Sequence, residues 1–146
     1  DLFAHGLQDI YYAAQQIAKT LPEFAQKAST PSLSAHLNDH VEATRGQIRR
    51  LEEAFGALGQ TPQGVTCQAI LGLIEEGEEI VGETAGGPLR DAAIVASARA
   101  IASYEIKRYN SLIAWTGNPK VAELLQRSLA EETERDRRLA AFAEAR

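Results

Sequence analysis

Apolar residues recur three and four apart along four long stretches of the chain, the spacing of one face of an α-helix. From 2 to 27 the stripe is Phe3, Leu7, Ile10, Ala14, Ile17, Leu21 and Phe24. Pro22 lies inside it and, lacking an N–H, is expected to kink the last turns. A second stripe, over 31–58, runs Leu33, Leu37, Val41, Thr44, Ile48, Leu51, Phe55 and Leu58. Thr30 is its expected cap, with Pro31 at the first helical position, and Gly59 ends it. The third, over 88–116, carries Ile94, Ala98, Ile101, Glu105 and Leu112, with Gly117 expected as its C-cap. Asn118-Pro119 opens the last, over 119–145, with Val121, Leu125, Ser128, Glu132, Leu139 and Ala143 on one face. Between the second and third lies a connector, 60–87, in which Thr66 is expected to cap a shorter helix over 67–83.

Two helical hairpins joined by one long connector predict an all-α chain. The matching architecture is a ferritin-like four-helix bundle with one additional short helix in the connector, forming a single domain over 1–146. Composition agrees: the apolar fraction is 45%, drawn mainly from alanine, with only 6% aromatics. The net charge of -5 and the lack of a basic stripe argue against nucleic acid as a partner. No apolar run approaches the ~18 residues a membrane span needs. Cys67 is the only cysteine, which excludes an intrachain disulfide and a thiolate metal site and makes a cytoplasmic location the expectation. No leader is visible, and the helical pattern is already under way at Asp1, so the natural N-terminus is expected upstream.

The chemistry lies in what interrupts the stripes. Glu105 follows Ile101 by one turn and precedes Leu112 by two, where an apolar side chain is expected. Glu132 does the same between Ser128 and Leu139, with Asp136 one turn further on. On the second helix His40 adjoins Val41, one turn from both Leu37 and Thr44. An ionised carboxylate facing a helical core costs several kcal/mol unless it is paired or coordinated. His40, Glu105, Glu132 and Asp136 are therefore the candidate metal ligands, and oxygen donors with some imidazole suit iron or manganese. The competing reading needs no metal: a His–Glu pair, joined directly or through water, satisfies itself in a core.

Other polar features carry less. His36 and His40 lie four apart and can share one helix face, but no carboxylate is fixed beside them by the pattern. Tyr11, Tyr12, Tyr104 and Tyr109 read as core at helical spacing. The glutamates around Gly77 (Glu75, Glu76, Glu78 and Glu79) read as a solvated face. Cys67, at the start of the connector helix, can have its thiol acidified by the helix N-terminus, although a small buried residue is the plainer reading. Catalytic residues and organic cofactor-binding residues are not identifiable, since no nucleophile triad, phosphate loop or dinucleotide fingerprint occurs.

Several segments resemble one family in order along nearly the whole chain. Gly6-Leu-Gln-Asp-Ile-Tyr11 with Leu21-Pro22 is similar to the opening helix of the YciF-type ferritin-like proteins, a bacterial, stress-associated domain of unknown function. Thr44-Arg-Gly-Gln-Ile48 and Arg50-Leu-Glu52 resemble its second helix, and Cys67-Gln-Ala-Ile70 with Gly72-Leu-Ile-Glu-Glu76 its connector. Tyr104-Glu-Ile106 and Leu129-Ala-Glu-Glu132 resemble its third and fourth helices. The resemblance implies a ferritin-like bundle, often dimeric, with a two-metal site at mid-bundle to which His40, Glu105, Glu132 and Asp136 correspond. It also implies glutamate at three positions where this chain has Ala14, Ala43 and Ala102, each at or near a stripe.

Two functions follow. One is a stress-associated structural or interaction protein, a homodimer with a degenerate metal site holding no cofactor, or iron or manganese weakly. The other is an oxidase or ferroxidase using the remaining carboxylates and histidine.

Overall fold

The structure is a computed structural model and describes residues 1–144; the expected end of the last helix, at 145, lies outside the described residues. Five helices account for nearly all of it: α1 (Leu2–Lys27), α2 (Pro31–Ala57), α3 (Gln68–Glu83), α4 (Pro88–Trp115) and α5 (Pro119–Glu144). No strand occurs among the described residues. The four long helices close a cycle of contacts, α1 on α2, α2 on α5, α5 on α4 and α4 on α1, while α3 lies against α1 and α4. The loops 28–30 and 116–118 are short enough to make α1/α2 and α4/α5 antiparallel neighbours. No described helix is long and apolar enough to cross a membrane.

The helix ends differ from expectation in informative ways. α1 continues as helix through Pro22 to Lys27. Thr30 does precede α2, but its side chain makes no cap; its hydroxyl instead donates to Asp91 Oδ2 at 2.6 Å. Asp91 also accepts from the backbone N–H of Ser29 and of Thr30, so one carboxylate in the first turn of α4 holds the α1–α2 loop. Burial pushes that carboxyl up, but the three donated bonds outweigh it and hold it below the usual range. The cap of α3 is Cys67, not Thr66: its Sγ accepts from the backbone N–H of Ile70 at 3.4 Å. α4 ends at an extended Thr116, and Gly117 is not the C-cap. Gly59 does take the left-handed conformation at the end of α2 (φ 69°).

Two apolar clusters fill the interior. One holds Ile17, Leu21, Phe24, Leu37, Val41, Ile94, Ala98, Ile101 and Leu139. The other holds Leu7, Ile10, Ala14, Leu51, Phe55, Tyr109, Leu112, Val121 and Leu125. Along each of α2, α4 and α5 a short polar stretch separates them: His40, Thr44 and Gln47; Glu105; Ser128 and Glu132, all fully or almost fully buried. On α1 the division falls between Ala13 and Ala14, so that helix contributes only alanine there. The connector helix sits close to this core because Gly77 lacks a side chain: a Cβ there would lie 3.0 Å from Ser97 Cβ and 3.3 Å from Phe24 Cζ. The glutamates flanking Gly77 are exposed.

Candidate metal centre

His40 from α2, Glu105 from α4 and Glu132 from α5 meet in the polar layer, each with no solvent exposure. One ligand atom of each lies within 4.8 Å of the other two. Each residue reaches the interior because it falls on its helix's apolar face, with Leu37 and Val41 beside His40, Ile101 before Glu105, and Leu125 before Glu132. The backbone carbonyl of His40 accepts from the Thr44 hydroxyl at 2.8 Å, a local bond that fills the space one turn on.

The two carboxylates are held very differently. Glu132 Oε1 lies 3.1 Å from His40 Nε2 and accepts from Gln47 Nε2 at 2.8 Å. Gln47 is fixed in turn by Tyr109, whose hydroxyl donates to Gln47 Oε1 at 3.2 Å. Burial alone would raise Glu132, but attraction to His40 and these donated bonds overcome it and lower it. Glu105 has no such support. Neither of its oxygens meets a donor from another described side chain, and the second oxygen of Glu132 and Nδ1 of His40 are likewise without partners. Burial first, then the adjacent Glu132 charge, push Glu105 well above the usual carboxylate range. The two carboxyls are thus driven apart, Glu105 up and Glu132 down, by burial and by their opposite supply of donors.

Asp136 lies elsewhere. Its carboxylate is forked by Arg99 of α4, with Arg99 Nε and Nη2 donating to its two oxygens at 3.0 and 3.3 Å. It is partly exposed and is not in the buried group. Ala14 and Ala102 are completely buried, whereas Ala43 is only half-buried and so does not sit at the centre as its neighbouring stripe suggested.

Residues missed by periodicity are Gln47 and Tyr109 in their polar roles. A usable signal existed for the first: His40, Thr44, Gln47 and Leu51 step four, three and four, one continuous face of α2. Of the other tyrosines, Tyr11 is buried and donates to Glu52 Oε2 at 2.9 Å, away from the centre. Tyr104 belongs to a separate cluster: its hydroxyl donates to Asp9 Oδ2 at 2.8 Å and lies 3.0 Å from Cys67 Sγ. Burial raises the Cys67 thiol, and bonds from Tyr104 and the Ile70 N–H only partly oppose it. That is the reverse of the acidified thiol that a helix N-terminus alone suggests.

His36, one turn before His40, is half-buried and packs edge-on to Phe142 at 5.6 Å between ring centroids. Desolvation, then Arg135, His40 and Arg138, lower it to about 4, with Asp39 opposing weakly. Its unfolded value is 6.5, so between pH 6.5 and 4 the unfolded chain binds the extra proton. Stability should therefore fall as pH drops through that window. In His36→Leu this fall should be smaller by about 1 kcal/mol, the full shift being discounted for partial exposure. Urea midpoints at pH 7 and pH 4.5 measure it; an unchanged pH slope in the variant would remove His36 from the account.

Helices closing around a buried imidazole and two buried carboxylates define a class: all-helical proteins with an acid–histidine centre. Comparison with known proteins narrows this. The sequence matches the family described as Domain of unknown function (DUF892) over residues 1–146, and the chain belongs to that family. It is 35% identical to protein YciF of Escherichia coli (strain K12) over 147 residues, covering 98% of this chain and 89% of YciF. Among solved structures it is similar to YcfI, a proposed structural protein from Rhodopseudomonas palustris, at 48% identity and a TM-score of 0.94 over 96% of this chain and 91% of that one. It is also similar to the crystal structure of the E. coli stress protein YciF, at 35% identity and a TM-score of 0.93 over 98% and 92%.

Proposed function

We propose that this chain is a ferritin-like, stress-associated protein whose central site is reduced to His40, Glu105 and Glu132, and that it serves a structural or interaction role. The closed cycle of four long helices, with α3 in the long connector between hairpins, supports the ferritin-like description. The observation that carries the reduced centre is the burial of Ala14 and Ala102. The YciF-type resemblance implies glutamate at both, and a methyl group there supplies neither charge nor donor atoms. Asp136, the remaining candidate, is committed to Arg99. A two-metal centre in a helical bundle is built from about four carboxylates and two histidines. The residues present do not fit it. A cytoplasmic homodimer, with YcfI described as structural and YciF as a stress protein, completes the proposal.

The competing reading, an iron or manganese oxidase or ferroxidase, draws on one observation: Glu105 is retained at full burial with no donor. The test is oxygen consumption by purified protein supplied with Fe(II), alongside metal analysis of the same sample. No turnover above the free-iron rate supports the structural reading. Rapid consumption that disappears in Glu132→Ala would transfer the proposal to the enzyme.

A further inference from the structure

We propose that a cleft on the surface of α4, lined by Tyr104, Lys107, Arg108 and Ser111, binds a phosphate-class oxyanion, either free or as a small monoester. The proposal goes beyond the structural reading above and makes no use of the buried central layer. Lys107 and Arg108 both lie one turn after Tyr104 and one turn before Ser111, so the four share one face of the helix. The cleft measures about 180 Å³. Pockets for drug-sized ligands begin at roughly 300 Å³, so this one suits a phosphate head and little more.

The first argument is the supply of unused donors. Lys107 is exposed, and neither its ammonium nor the Ser111 hydroxyl has a hydrogen bond or ion pair among the described residues. Arg108 is half-buried and held in place. Its Nη2 lies 3.4 Å from both Tyr104 Oη and Asp9 Oδ2, and its guanidinium carbon lies 5.4 Å from the centroid of the Tyr104 ring. Its Nε, however, is buried with no partner. Buried N–H groups are ordinarily satisfied, and an oxyanion in the cleft supplies the acceptor this arginine lacks. Because Tyr104 and Asp9 already fix the guanidinium, little freedom remains to be lost when the anion arrives.

The second argument is charge. Lys107 and Arg108 place two positive charges at the cleft against the single carboxylate of Asp9, which Tyr104 and Arg108 already engage. Tyr104 and Cys67, the other titratable groups of this cluster, are raised by burial, so at neutral pH they add no negative charge. A second cleft, lined by Ala130, Glu131, Glu134, Arg135 and Arg138, also offers arginines, but its two glutamates repel an anion. Donor type completes the case. A guanidinium, an ammonium and a hydroxyl together suit the several oxygens of a phosphate better than the two of a carboxylate.

The experiment is titration of isotope-labelled protein with inorganic phosphate and, in parallel, with methyl phosphate, followed by amide NMR at pH 7. Salt is kept low, because it screens exposed charges, and sodium chloride of equal ionic strength is the control. One saturable event per chain is expected, with amide shifts concentrated in residues 104–111. Lys107→Ala and Arg108→Gln should each weaken binding about 10-fold, the loss of one charge-assisted contact. Lys107→Ala removes an exposed side chain with no other partner, so it tests the site without endangering the fold. Saturation by either titrant supports the site, and the tighter of the two assigns free phosphate or a monoester as its source. Absence of saturation by both, or shifts no different from those of chloride, overturns the proposal. Shifts centred on Arg135 and Arg138 overturn it as well, as does unchanged affinity in the two variants.

Discussion

Replacing His40 by leucine in the metal-free protein is expected to cost about 3–5 kcal/mol, the penalty of stripping a partner from a fully buried carboxylate. Glu132 carries the charge in this layer, and only His40 and Gln47 contact its Oε1. Without the imidazole, Oε1 of a carboxylate with no access to water keeps only the Gln47 amide among the two contacts named. Total stabilities of domains this size are about 5–15 kcal/mol, so the loss is a large fraction of the whole. It should appear as a drop in melting temperature of roughly 10 °C. The double variant His40→Leu, Glu132→Leu removes the stranded charge together with its partner and should recover most of that loss. The resulting coupling, about 2–3 kcal/mol, is what distinguishes a mutually dependent pair from two separate packing defects. If His40→Leu alone costs under about 1 kcal/mol, Glu132 is not satisfied by His40 and the electrostatic account of the centre is wrong.

The reason His40 and Glu132 could be named from sequence is that a helix repeats on itself. A buried face is announced every three or four residues, and a charge on it is conspicuous: Glu105 and Glu132 stand in stripes of Ile, Leu and Ala. The five helices were legible for the same reason, aided by Pro31, Pro88 and Pro119 at first helical positions. What periodicity does not contain is the neighbour across the gap. Asp136 is one turn from Glu132 and shares its face on any helical wheel, yet Arg99 approaches from α4 and draws it aside. Gln47 needed the hydroxyl of Tyr109, 62 residues away, before its role became visible. Ala43 adjoined the apolar face of α2, but it stays partly exposed because the wheel is coarse at a stripe's edge.

Capping errors had a different origin. Thr66 and Gly117 are favoured cap residues by propensity, and propensity is a weak prior wherever a tertiary partner competes. Cys67 wins because its buried Sγ has the Ile70 N–H on one side and the Tyr104 hydroxyl on the other. Thr30 occupies the expected position but spends its hydroxyl on Asp91, since that carboxylate ties the first hairpin to the start of the second. Each discrepancy is thus a long-range polar contact overriding a local preference.

Glu105 gives the opposite result to His40, and its sign should depend on metal. In chelator-treated protein, Glu105→Leu is expected to stabilise by about 1–4 kcal/mol, because an unsupported buried carboxyl gives way to an apolar side chain of similar volume. The gain comes from removing a fully buried carboxyl whose oxygens meet no donor from another described side chain outside its contact with Glu132. Glu132 keeps its contacts with His40 and Gln47, so losing its contact with Glu105 offsets only part of the gain. Addition of Co(II) or Mn(II) then reverses the order. An ion at 100 times its dissociation constant adds about 2.7 kcal/mol to a protein that binds it only when folded, and nothing to a variant lacking the site. Melting curves should therefore cross: the variant above wild type in chelator, wild type rising towards or past it with metal while the variant stays fixed. A variant less stable than wild type even in chelator would show that Glu105 is satisfied without metal. Retention of the acid would then reflect packing, and its lack of donors would not point to an ion. Crossing curves would instead explain why a costly carboxylate persists beside two alanines: it is destabilising only until the cation arrives.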